Sequence, residues 1–159
     1  MNNIRTNIKL MVHDFFKTKP IISIDNDDLE PFFTTQGQLL AIDCEEFDLW
    51  HEPYKAICEK TKNELDSLDE NYKIRRVLFL FFQPTGHELK MNDMESLRLM
   101  SSSFETAIWG IGTWHEDSAR LLSLVEITPT FPSCLNNEKC NKCNNSKKQA
   151  FSNGSIKLQ

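Results

Sequence analysis

The sequence predicts one α/β domain, a sandwich in which about three helices pack on a mostly four-stranded mixed sheet. Three observations carry this. Residues Val77 to Phe82 form an unbroken apolar run between Arg75-Arg76 and Gln83-Pro84; short and rich in Val and Phe, it reads as a central strand covered on both faces. Helical and strand-like periodicities alternate along the chain. A length of 159 residues, with 40% hydrophobic and 26% charged, suits a single domain with a real core.

In order along the chain, Ile4, Ile8, Met11, Val12 and Phe15 fall at helical spacing and give residues 4–17 one apolar face. His13 lies off that stripe, at the surface or its boundary. Lys19-Pro20 stops the helix, since proline disfavours helical backbone in the residue before it. Ile21–Ile24 reads as a minor strand or extended loop, and "DNDDLE" as a solvated acidic turn without the glycine and terminal glutamate of an EF-hand. A strand is predicted over Gly37–Ile42. The segment 47–68 is a long amphipathic helix with Phe47, Trp50, Tyr54, Ile57, Cys58, Leu65 and Leu68 on its stripe, kinked or restarted at Pro53. After the central strand, "MNDMESLRLMSSSF" is a helix with Met94, Leu97, Met100 and Phe104 inward, Asn92 as N-cap and Glu95 three residues on. "ETAIWGIGTW" and "ARLLSLVEITPT" are two further strands, joined as a hairpin by "HEDS". The domain is expected over residues 1–130, followed by a polar, flexible tail over 131–159.

Gly110-Ile111-Gly112 invites a phosphate-loop reading, which fails. The dinucleotide fingerprint needs a third glycine and a following helix, and here a polar turn and a strand follow. The glycines are expected to be structural, admitting bulky neighbours, with the rings of Trp109 and Trp114 supplying the packing.

A net charge of −5 and pI near 5.4 argue against nucleic-acid and anionic-membrane partners. No apolar run approaches a bilayer span, and "MNNIRTNIKL" lacks an export-signal pattern, so a cytoplasmic setting is expected. Five cysteines are then reduced thiols. Cys134, Cys140 and Cys143 form a C-x5-C-x2-C group, a weak zinc candidate with only one close pair, its fourth ligand left to water, His115, Cys44 or a second chain. His87 and Glu88 sit in the loop after the central strand, where open α/β sheets bind ligands. His115, Glu116 and Asp117 occupy the last turn. No nucleophile–base–orienter set is visible in the spacing, and no cofactor is expected.

The stretch "VLFLFFQPTGHELKMNDMESLRLMSSSFETAIWGIGTWHEDSARLLSLVEITPT" resembles the C-terminal domain of FtsZ, the bacterial relative of tubulin. The matching features are the apolar strand ending at Thr85-Gly86, the helix region Leu89–Phe104, the strand Ala107–Gly112 and the last strand ending at Thr128. Ile4-Arg5-Thr6 matches the family's V-R-T at the start of its first helix. The resemblance spans residues 3 to 129, with residues 18–35 as an insertion. It implies the second domain standing without the GTPase domain, hence no enzyme. Where the family has an aspartate that helps hydrolyse the neighbouring subunit's nucleotide, this chain has Asn3. The resemblance implies a protein partner, either a filament-forming subunit or a second copy, met through Asn2, Asn3 and Arg5. Two alternatives are a small-molecule binder or enzyme using the His87/Glu88 loop, and a zinc adaptor using the tail cysteines.

Overall fold

A computed structural model describes the backbone of residues 2–69 and 71–130, and their side chains from Asn7 onward except Asp69. The elements are α1 (Asn2–Phe16), β1 (Lys19–Ile22), α2 (Asn26–Thr34), β2 (Gln38–Glu46), α3 (Pro53–Asp69), β3 (Tyr72–Pro84), α4 (Met91–Ser101), β4 (Ala107–Trp114) and β5 (Ala119–Pro129). The sheet therefore has five strands, in the order β1-β4-β3-β5-β2, flanked by four helices. The extra strand and helix come from residues 18–35. β1 adds an edge beyond β4, and "DNDDLE" is not a free turn but the start of α2. There Asp25 Oδ1 accepts from Asp28 N and Asp28 Oδ2 from Asp25 N, both at 3.0 Å, a reciprocal cap that satisfies two amides otherwise orphaned.

β3 is the axis of the molecule. It pairs parallel with β4 and antiparallel with β5, and its side chains alternate between two cores. Val77, Phe79 and Phe81 meet α3 and α4 through Tyr54, Ile57, Leu65, Leu97 and Met100. Leu78, Leu80 and Phe82 meet α1 and α2 through Ile8, Val12, Phe15 and Phe32. All six residues of the apolar run are fully buried, and each such side chain contributes about 2 kcal/mol of transfer free energy. The two-sided burial predicted for this strand is what the structure has.

β4 and β5 are not a hairpin. They flank β3 on opposite sides, so residues 115–118 cross over the end of the central strand. β2 also runs longer than predicted, to Glu46, because its polar end has partners. Arg120 Nε and Nη2 each donate to Asp43 at 2.8 Å. The guanidinium lies 4.9 Å from the Phe82 ring centroid and 5.9 Å from that of Trp114. At the far end of β5, buried Glu126 takes Arg76 Nε at 2.6 Å and the Thr35 hydroxyl at 2.5 Å.

The glycines of β4 are structural, but their packers differ from those expected. Trp109 projects to the α3/α4 face and stacks on Phe79, ring centroids 4.6 Å apart. Gly110 and Gly112 face α1. A Cβ on Gly110 would meet Phe15 Cζ at 2.8 Å, and one on Gly112 would meet Thr18 Oγ1 at 1.8 Å. The glycines let α1 and its exit turn press directly on the strand.

α3 begins at Pro53, which takes the first helical position where no amide is needed. Phe47 and Trp50 therefore precede the helix and are exposed rather than on its buried stripe. α4 is capped two residues earlier than predicted, at Lys90 rather than Asn92. Asp93 Oδ2 accepts from Lys90 N at 2.7 Å, while Glu95 pairs with Arg98 instead. Met94 is turned partly outward, and Leu97 and Met100 alone of the expected set are fully buried.

Candidate functional site

β2, β3 and β4 all end at the same edge of the sheet. Loops 47–52, 85–90 and 115–118 therefore gather there, and His87 and Glu88 share an end with His115, Glu116 and Asp117. This is the end at which open α/β sheets most often bind ligands.

The 85–90 loop is held from several sides. Gly86 turns the chain with φ +85°, a conformation that side chains with a Cβ disfavour. Buried Gln83 donates to Thr113 Oγ1 at 2.9 Å and accepts from Leu89 N at 3.0 Å, tying the loop to β4. The Tyr54 hydroxyl donates to the His87 carbonyl; burial raises the Tyr54 phenol far above its ordinary value, so it remains a neutral donor. Glu88 is held below the usual carboxylate range by its own backbone amide and that of Gly86, so it is an anion at neutral pH.

The structure separates the two residues of the predicted ligand pair. The His87 imidazole turns to Trp50, edge to face, with centroids 5.2 Å apart. Glu88 instead borders an open cleft of about 920 Å³, shared with Asp14, Lys17, Thr18, Trp114 and His115. Lys17 Nζ is 3.3 Å from Asp14 Oδ1, and the Trp114 indole donates to the Ser118 carbonyl at 2.8 Å. The cleft thus offers carboxylates, an imidazole and an ammonium to a small polar ligand. Among the described residues no three metal-ligating side chains come together, and no helix is long and apolar enough to cross a membrane.

Asn2, Asn3 and Arg5 belong to the first turn of α1. The last turn of that helix reaches the cleft through Asp14, so its first turn lies about 16 Å away along the axis. The predicted partner residues and the predicted ligand loop are two places, not one. Cys134, Cys140 and Cys143 lie outside the described residues. Cys44 and Cys58 are free and buried. Trp50 lies before α3 rather than on its stripe, and Pro53 at the first helical position is the sequence signal for this.

The arrangement has counterparts among solved structures. A GTPγS-form TubZ protofilament from Bacillus thuringiensis serovar israelensis superposes with a TM-score of 0.57 at 14% identity, covering 94% of this chain and 40% of that one. The M. jannaschii FtsZ dimer gives 0.54 at 17% identity, covering 77% and 40%. This is an FtsZ/tubulin-like fold. CetZ1 from Haloferax volcanii, bound to GDP, gives 0.51 at 11% identity, covering 81% and 38%. The chain spans about 40% of these FtsZ/tubulin-like neighbours' length. No family model and no curated protein matches the sequence.

Proposed function

We propose that this domain is a non-enzymatic interaction module that docks on a filament-forming FtsZ- or tubulin-like subunit and modulates its assembly. The observation behind this reading is the partial likeness: a sheet with both faces covered, matching only about 40% of proteins that are themselves dimers or protofilaments in their solved forms. On this reading the first turn of α1, with Asn2, Asn3 and Arg5, meets the next subunit, and the domain turns over no GTP itself. Pelleting and light scattering of purified FtsZ or TubZ, with the domain added at stoichiometric amounts, test it. Assembly should change in extent or rate, and Arg5→Glu should remove the change. Polymerisation indifferent to the wild-type domain would defeat the proposal.

The cleft beside Glu88 favours a second reading, a small-molecule binder. A ligand that prefers the native state raises Tm. In a thermal-shift screen of small polar compounds, the second reading expects a hit whose shift is lost in Glu88→Ala.

A further inference from the structure

We propose that loops 47–52 and 85–90, with the first turn of α4, form a separate docking surface for a basic polypeptide segment bearing an apolar anchor. This does not depend on the filament reading, which concerns the other end of α1.

The apolar residues here are more exposed than anything else of their size in the described chain. Trp50 is 83% exposed, Met91 85% and Phe47 72%. Burial in this domain does not explain them, yet the backbone beneath Phe47 and Trp50 is hydrogen-bonded. Asp48 Oδ1 accepts from Trp50 N at 3.1 Å, and Asp48 Oδ2 lies 2.8 Å from His51 Nδ1. Glu46 Oε1 accepts from Asp48 N at 3.0 Å, and its Oε2 takes Lys60 Nζ at 2.8 Å. The indole and the His87 ring then meet nearly at right angles, and the His87 carbonyl is fixed by Tyr54. A large ring held outward on a braced loop loses little freedom on binding, and tryptophan is among the side chains enriched at interface hot spots.

The charge around the ring selects the partner. From Glu46 to Glu52 there are three carboxylates, Glu46, Asp48 and Glu52, and no lysine or arginine. Lys55 and Lys60 are placed on Glu52 and Glu46, and loop 85–90 with the first turn of α4 adds Glu88 and Asp93 against one further cation, Lys90. An acidic rim around apolar anchors favours a cationic partner and repels an acidic one. It also disfavours a two-fold contact between copies through this face, since such a contact sets each patch against itself.

The test uses the whole protein and three labelled probe peptides, alternating Lys-Leu, Lys-Ser and Glu-Leu, followed by fluorescence anisotropy. The Lys-Leu peptide should bind about tenfold or more tightly than the other two, and more weakly as salt rises. Trp50→Ala and Met91→Ser should each weaken it about tenfold, with circular dichroism and Tm unchanged. Ile21→Ser, at an exposed apolar residue on β1, should leave it unchanged. Equal binding of Lys-Leu to Trp50→Ala, or Glu-Leu binding as tightly as Lys-Leu, would overturn the proposal. So would sedimentation showing a Trp50-dependent dimer, or no binding of Lys-Leu at all.

Discussion

Gly112 sits where α1 hands the chain to β1, and its missing Cβ is what lets Thr18 close the turn. The Thr18 hydroxyl donates to the Phe15 carbonyl at 2.6 Å while filling the space a methyl would need. We expect Gly112→Ala to cost about 3 kcal/mol and Gly110→Ala, opposed mainly by movable ring and methyl atoms, about 1–2 kcal/mol. Urea denaturation measures both, and Thr18→Gly in the Gly112→Ala background should recover part of the loss. Arg120 carries a comparable load. It and Asp43 are mostly buried, with side chains 13% and 16% exposed, so Arg120→Ala strands a carboxylate and should cost about 3 kcal/mol. Arg120→Ala/Asp43→Asn together should cost less than the sum of the two single changes. The thiols are residue-scale reporters too. Burial, followed by Asp93 and Glu59, pushes Cys58 from 9.0 up to about 12, and burial also raises Cys44. In a Cys134→Ser/Cys140→Ser/Cys143→Ser variant, native protein should react slowly with a thiol reagent and denatured protein at once. The unfolded chain ionises these thiols first, so their contribution to stability is intact below pH 9 and is lost as pH rises toward about 12.

At the scale of elements, legibility followed the strength of the local signal. β3 was plain in the sequence because six apolar residues in a row admit few other readings. α2 was hidden: nine residues with Pro31 inside, opening on aspartates that look like a solvated turn. Its capping box is the feature that makes so short a helix possible, and Asp25→Ala should cost about 1 kcal/mol, measured as a fall in Tm. The β4–β5 connection misled because a four-residue polar loop between strands usually marks a hairpin; that β3 lies between them is a long-range fact. The packers of Gly110 and Gly112 were missed for the same reason, since Phe15 and Thr18 are distant in sequence. Of the candidate site, the loop carrying His87 and Glu88 was legible, but not that its two side chains part company. The lash between β2 and α3 has its own pH signature. Lys60, bonded to Glu46, holds that carboxylate below its ordinary 4.5. Its contribution is present above that value and lost as pH falls through the lowered one. Lys60→Ala should flatten the acid limb of a Tm-versus-pH curve.

For the whole molecule, the two-sided sheet explains why a segment matching about 40% of its neighbours' length is organised around a core of its own, with α1 and α2 on one face and α3 and α4 on the other. The strand order has a further consequence, for synthesis. β1 finds its partner in β4 and β2 finds its partner in β5, so the first third of the chain has no sheet to join until the last strands have left the ribosome. Such distant pairings slow folding and leave apolar surface waiting. A nascent chain arrested before Ala119 should be protease-sensitive throughout, and release of a few dozen more residues should protect both halves together.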